Sequence, residues 1–301
     1  MASAVPTASA PAAIVELPYT PEGLGKQIGP EWVTLLRSGY RWMTLARVLD
    51  ARMLGLQRQG RIGFYGPATG QEAVSVAAGL ASRVEDWILP GLREQLVALV
   101  RGHPLENYVH HLFANDHDAA KGRQMPCHPT AKDVHYVSMS SVVGTQISHA
   151  VGVAYAMKAR RADTVVLGFF GDGATSANDF HAGLNFAGVF SLPVVLCCTN
   201  NQWAISQPVD RQTRSETLAQ KGAAYGIQAR RVDGTDFVRC YLELERAITD
   251  ARSGKGPTLL EFVLYRMTPH SSSDDPTRYQ AADWMERARA SDPVSRLEQF
   301  L

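Results

Sequence analysis

Charge of one sign is what this 301-residue sequence lacks most clearly: 30 Lys and Arg stand against 29 Asp and Glu, a formal charge of +1. There is therefore no electrostatic case for nucleic acid or an anionic membrane as a partner. Long apolar runs are missing as well. The longest, such as Val165–Phe170 and Val194–Cys198, fall far short of the roughly 20 residues of a membrane span. Cysteine is scarce, and Cys127, Cys197, Cys198 and Cys240 form no C-x-x-C pair. Neither a disulfide framework nor a zinc site is indicated, and a reducing cytoplasm is the expected location. No Lys or Arg precedes Lys26, which argues against a secretory signal or an organelle transit peptide. Eight of the first thirteen residues are Ala or Pro, and Pro18, Pro21, Gly23, Gly25 and Gly29 follow. Residues 1–30 are expected to be a loose, flexible tail.

What is present is the composition of a folded globular chain, 45% hydrophobic and 20% charged. Trp32, Leu35, Leu36, Met43, Val48 and Leu49 recur at three- and four-residue spacings, predicting a helix from Glu31 to about Gln59 with Gly60 as its stop. Helices are also expected over 71–81, 92–100 and 105–114, then a short strand over 134–137 and the polar turn 138–141. The small residues Gly144, Ala150, Gly152, Ala154 and Ala156 suggest a closely packed, buried helix over 144–160. A strand over 164–170, a helix over 178–189 and a strand over 193–199 come next, and strands over 226–232 and 257–265 bracket a helix over 237–251. Strands alternating with helices of this length imply βαβ units, and so an α/β fold with a parallel sheet flanked by helices. Without a repeat or an internal linker, residues 31–301 read as one α/β domain with an N-terminal helical arm.

The chemistry concentrates where the strand over 164–170 runs into Gly171-Asp172-Gly173-Ala174. Two glycines around one Asp permit a sharp turn and close approach of a ligand. Ser176 and Asp179 form a plausible capping pair for the next helix, whose free N–H groups suit a phosphate. The chain returns through 193–199 to Asn200-Asn201-Gln202-Trp203. A right-handed crossover makes the two strands parallel, so Asp172 and Asn201 both lie at carboxyl ends, where open α/β sheets bind ligands. A carboxylate, an amide oxygen and a backbone carbonyl are hard donors, and with two phosphate oxygens and a water they would complete the octahedron of Mg²⁺. Two other readings stand beside this one. Gly171 and Gly173 could open a nicotinamide-dinucleotide turn, although Ser176 holds the third glycine place and Asn200-Asn201 stand where the acidic ribose ligand belongs. Alternatively, Asp172 caps a helix and the Asn pair makes a turn.

Gly171-Asp172-Gly173, twenty-six intervening residues and Asn200-Asn201 resemble the signature of thiamine diphosphate enzymes. His181-Ala182-Gly183-Leu184-Asn185-Phe186-Ala187, Ala204-Ile205-Ser206, Tyr265-Arg266 with the 270–275 loop, and Arg58–Tyr65 are similar to the α subunit of 2-oxo acid dehydrogenases. Gly122–His128 and His270-Ser271-Ser272-Ser273-Asp274-Asp275 favour the branched-chain type. The resemblance spans residues 31–301 and implies a thiamine-diphosphate-binding fold. It implies that Asp172, Asn201 and the carbonyl of Trp203 hold Mg²⁺ and that Gly171, Gly173 and Ala174 lie at the diphosphate. Arg93, opening a helix, would pair with a phosphate. Ser141 and Val143 would flank the cofactor, and His270 would be an acid–base group with a near-neutral pKa. Phe64 and Tyr65 would line the acyl pocket. Ser140, the carbonyl of Val142, Thr145 and Gln146 resemble a structural K⁺ site.

Leu92, Thr199, Trp203 and Val142 depart from the family pattern: tyrosine, arginine, tyrosine and proline are usual there. The family places the glutamate that activates the cofactor on a separate β subunit. The resemblance therefore implies an enzyme active only as an α₂β₂ heterotetramer, decarboxylating a branched-chain 2-oxo acid and feeding a lipoyl acyltransferase. Action on pyruvate or acetoin, or a non-catalytic assembly role, are the alternatives. Ser271–Ser273 match a loop phosphorylated in some relatives, with a solvated polar loop as the default. Asp292–Leu297 resembles a segment that usually continues into further helices, so the chain is expected to be natively short or truncated.

Overall fold

In the computed structural model, which describes residues 19–281 and 283–301, strands and helices alternate as expected. Helices α1 (Pro21–Gln27), α2 (Trp32–Arg58) and α3 (Glu72–Ala81) lead into strand β1 (Trp87–Leu89). Helices α4 (Gln95–Val100), α5 (Leu105–Phe113) and α6 (Thr145–Ala159) follow, then β2 (Val166–Gly171), α7 (Asn178–Val189) and β3 (Val194–Asn200). A hairpin of β4 (Trp203–Ala204) and β5 (Gln207–Pro208) precedes β6 (Gln228–Asp233), α8 (Phe237–Arg252) and β7 (Thr258–Val263), and α9 (Trp284–Ala290) and α10 (Pro293–Phe300) come last.

The central sheet has the order β1-β2-β3-β7-β6 and every pair is parallel. Its apolar strands are covered on both faces, as continuous hydrophobic runs require. The two-residue period separates the faces. Leu167, Phe169, Val195, Cys197, Leu260 and Phe262 join the core formed with α2, α3, α4 and α8. Val166, Phe170, Val194, Leu196, Cys198 and Leu259 pack with α6 and α7. Each such side chain stabilises the fold by about 1.5–3 kcal/mol through burial. The chain builds β1 to β3 in one direction, then crosses to β6 and returns to β7, so the strand order reverses beside β3. In open α/β sheets, ligands bind in the crevice outside the carboxyl ends of the strands at such a reversal.

Several elements differ from expectation. Residues 1–18 of the expected tail lie outside the described residues, but 21–27 form α1, capped by Thr20 and buried at Leu24. Over 134–137 there is no continuous strand: Lys132–Val134 is a 3-10 turn, and Tyr136 bridges Ile88 on one side and Ala131 on the other. The strand at that edge is β1, which at three residues is too short to carry a period. It is fixed by buried Asp86, which accepts from Val165 N and the guanidinium of Arg252. Ser176 does not cap α7; Asp172–Ser176 is a 3-10 turn, Ala177 is the cap residue, and Asp179 accepts from Ser148 instead. Helix α6 is buried on one face only. Ala150 and Ala154 are inside, while His149, Gly152 and Tyr155 face out. Among the described residues no helix is long and apolar enough to cross a membrane.

One glycine fixes the loop before α3 against the exit of β7. Gly70 has φ +93°, and a Cβ there would sit 2.3 Å from the carbonyl oxygen of Tyr265. Thr69 O accepts from Met267 N nearby, at 3.2 Å. Gly70→Ala should therefore destabilise the chain by about 2 kcal/mol or more, from backbone strain and overpacking together. Urea unfolding measures this, and wild-type stability would contradict the close approach.

Candidate active site

Gly171 pairs with Thr199 across β2 and β3, so the next residues out of the sheet are Asp172 on one strand and Asn200-Asn201 on the other. The two asparagines divide their work. Asn200 turns into the protein and donates to Glu261 at 2.8 Å, whereas Asn201 belongs to the crevice. Its Oδ1 accepts from Trp203 N at 3.1 Å and its Nδ2 donates to Gln71 Oε1 at 3.4 Å. Asp172 is only 1% exposed. Its side-chain partner is a neutral amide, Gln212 Nε2, at 2.6 Å. Burial raises its pKa to about 6, against the opposing hydrogen bond from Gln212. A buried carboxylate with so little compensation is costly to keep charged. The set fits a hard divalent cation, with Asp172 supplying the charge, Asn201 an amide oxygen and Trp203 a backbone carbonyl. The turn beside it accommodates a close ligand. Beyond Gly171 a Cβ would meet only open space, and at Gly173 it would strike the Cβ of Ala204 at 2.8 Å. Ala174 is buried beneath.

Basic groups converge on the same side. Arg93 lies in the turn before α4, not within a helix as expected, and is 5% exposed. Its guanidinium donates to the carbonyls of Pro67 and His270, the latter at 2.7 Å, and lies 3.3 Å from His270 Nδ1. Arg266 is fully buried and donates to Ile205 O at 2.9 Å and to the Tyr279 hydroxyl at 2.7 Å; its Nε and Nη1 have no hydrogen-bond partner. Burial, then the charges of Arg93 and Arg266, lower the His270 pKa to about 4. The expected near-neutral value is thus displaced, because the ring is buried and lies beside two cations. Burial and Arg266 likewise lower Arg93 to about 10. The His270 loop is itself tied down, since Asp274 accepts from His270 N at 2.7 Å and from Tyr279 at 2.6 Å.

The loop before α6 carries the remaining expected contacts. Ser141 is hydrogen-bonded to His128 Nε2, and His128 Nδ1 lies 3.0 Å from Pro126 O. Behind it, His128 N donates to His111 Nε2 at 3.1 Å, and His111 Nδ1 meets Asp118 at 3.1 Å. Ser140, Val142, Thr145 and Gln146 are brought together by two bonds: Gln146 Nε2 to Ser140 O at 2.8 Å, and Thr145 N to Val142 O at 3.2 Å. Val143 is 64% exposed. Phe64 is half-buried against the core. Tyr65 is wholly buried with its hydroxyl on Asp50 at 2.8 Å, which anchors the loop. Two residues of the site carried no sequence signal: Gln212 and Gln71 are polar residues whose role depends on what folding places beside them, while His128 ends the Gly122–His128 motif but had no role assigned.

Residues 40–301 match the family model described as "Dehydrogenase E1 component". The chain is 42% identical over 266 residues to the 3-methyl-2-oxobutanoate dehydrogenase subunit alpha of Mycobacterium tuberculosis, covering 88% of this chain and 70% of that protein. It is 42% identical over 263 residues to the mitochondrial 2-oxoisovalerate dehydrogenase subunit alpha 1 of Arabidopsis thaliana, covering 87% of this chain and 56% of that protein. Against the 2-oxoisovalerate dehydrogenase subunit alpha of Bacillus subtilis the identity is 40% over 264 residues, with 87% and 80% covered.

The burial of Asp172 sets a stability test. A folded-state pKa of about 6 against an unfolded 3.8 means the carboxylate costs stability above pH 6 and nothing below pH 4. Asp172→Asn, which keeps an acceptor for Gln212, should stabilise the metal-free chain at pH 8 by on the order of 2 kcal/mol. The gain should fade as the pH falls through 6. Thermal unfolding at pH 8 and pH 4.5 measures it, and a loss at pH 8 would contradict the assignment.

Proposed function

The chain belongs to the dehydrogenase E1 component family, and on that footing we propose that it is the α subunit of a thiamine-diphosphate-dependent 2-oxo acid dehydrogenase acting on a branched-chain 2-oxo acid. The observation that carries this reading is the buried, under-compensated Asp172 facing Asn201 at the carboxyl ends of neighbouring strands. The names of the relatives, 2-oxoisovalerate and 3-methyl-2-oxobutanoate dehydrogenase subunits, support the substrate class.

Thiamine diphosphate supplies the carbon nucleophile for the 2-oxo carbon and the electron sink for the charge left by departing CO₂. This chain binds and orients. Asp172, Asn201 and the Trp203 carbonyl hold Mg²⁺, and Gly171, Gly173 and Ala174 leave room for the diphosphate against the 3-10 turn. Arg93 pairs with a phosphate oxygen. Ser141 and Val143 flank the cofactor, Phe64 faces the branched acyl group, and Ser140, Val142, Thr145 and Gln146 hold a structural K⁺ that stiffens their loop. With its low pKa, His270 is neutral at physiological pH, so it can receive a proton at a ring nitrogen and has none in excess to give.

The remaining half of the site belongs to a β subunit in an α₂β₂ assembly that passes its acyl group to a lipoyl acyltransferase. The outward face of α6 and α7 supports this. Tyr155, Phe186 and Phe190 cluster with ring centroids 4.5–5.6 Å apart, beside Val189 at 68% exposure. An aromatic patch beside small residues such as Gly152 is the kind of surface a partner helix covers. Four free, buried cysteines fit the proposed reducing cytoplasm.

Assay of CO₂ release from a panel of 2-oxo acids, with and without the cognate β subunit, decides the matter. Branched-chain substrates should be turned over only by the assembled enzyme, and Asp172→Ala should reduce turnover to background. Robust activity from this chain alone, or a preference for pyruvate, would contradict the reading.

A further inference from the structure

The hydrogen bonds around Asp172 and Asn201 point beyond the metal-binding residues themselves. Gln212 Nε2 donates to Asp172 Oδ2 at 2.6 Å and to Gln207 O at 3.0 Å. Both of its hydrogens are thereby spent, which fixes the orientation of the amide. One oxygen of Asp172 is committed to Gln212 and the other is left for a cation. Gln207 lies on β5, paired with β4, whose Trp203 N donates to Asn201 Oδ1. The hairpin that supplies the backbone carbonyl therefore also holds both side-chain donors. On the far side, Gln71 is 3% exposed and accepts from Asn201 Nδ2. Flipping the Asn201 amide would set its NH₂ against the Trp203 N–H and its oxygen against the Gln71 oxygen. Oδ1, the atom a hard cation needs, is thus the one held toward the Trp203 backbone. Two polar atoms stay buried without partners, Gln212 Oε1 and Gln71 Nε2, an acceptor and a donor suited to the water and oxygens around a hydrated cation.

We propose that Gln212, with Gln71 in a weaker part, is a positioning residue that selects which oxygens of Asp172 and Asn201 meet the metal. The inference rests on the Mg²⁺ site proposed above. Residues that orient metal ligands in this way commonly change metal affinity 10–100-fold when removed. Gln212 should lie in that range. Gln71, at 3.4 Å, should fall below it.

The test uses the full chain assembled with its β subunit and saturated with thiamine diphosphate, with Mn²⁺ as the probe followed by electron paramagnetic resonance. Gln212→Leu keeps the volume and loses the donor. It should weaken Mn²⁺ binding roughly 10- to 100-fold and alter the bound-Mn²⁺ spectrum, while lowering the melting temperature of the metal-free assembly only modestly through the donor lost by buried Asp172. Excess Mg²⁺ should restore its turnover. Gln212→Asn, one methylene too short to reach, provides a second variant should the leucine disturb assembly. Wild-type affinity and spectrum in both variants would overturn the positioning role, as would a turnover loss that no amount of Mg²⁺ repairs. Absence of Mn²⁺ binding in the wild-type assembly is a different outcome, and it would overturn the metal site itself. Asp172→Ala, expected to bind none, marks that boundary.

Discussion

Asp172 is an anion enclosed at the mouth of a parallel sheet with a neutral amide as its side-chain partner, and much of the molecule is arranged around that fact. The register of β2 against β3 sets Asp172 beside the Asn pair. The hairpin β4–β5 folds over it and delivers Trp203 and Gln212. Behind the hairpin, Trp203 packs on Tyr279 and on Trp284 at the start of α9, which together steady the strand that carries its carbonyl. A carboxylate kept this dry is unfavourable in isolation and favourable once a divalent cation arrives. On the proposed reading, the site would store that difference as affinity.

The positive groups obey the same logic. Arg93 and Arg266 are both buried; burial lowers both, Arg266 lowers Arg93 further, and after burial the two together lower His270. Glu94 and Asp50 beside Arg93, and Asp274 and Asp172 beside Arg266, offset that burial only in part, and a bound metal diphosphate would offset it further. His270 is then governed by its neighbours and not by the intrinsic imidazole pKa. That is why a reading from residue type alone placed it near neutrality.

The sheet and its crossing helices were legible because the central strands β2 and β3 are largely apolar runs ending in turn residues, and because Gly171-Asp172-Gly173 and Asn200-Asn201 sit where those strands end. The family motifs brought Arg93, Ser141 and His270 into view, though their surroundings had to come from the fold. Short or irregular pieces escaped: β1 is three residues long, and the 132–137 segment closes through isolated bridges without a repeating pattern. The composition of α6 was visible, but not which of its faces is covered. Small residues mark close packing without naming the partner, and here one face packs on the sheet while the other is turned outward beside Tyr155 and Phe186. Gln212 and Gln71 had no signal, because an amide acquires its role only from the carboxylate or amide placed beside it.

The central claim is that one cation is held between Asp172, Asn201 and the Trp203 carbonyl. Crystals of the assembled enzyme grown with thiamine diphosphate and Mn²⁺, measured for anomalous scattering, test it directly. The account predicts an anomalous peak within bonding distance of one Asp172 carboxylate oxygen, Asn201 Oδ1 and Trp203 O, with Gln212 on the other carboxylate oxygen. Cofactor bound with no manganese between those three oxygens, or manganese held elsewhere, would contradict it.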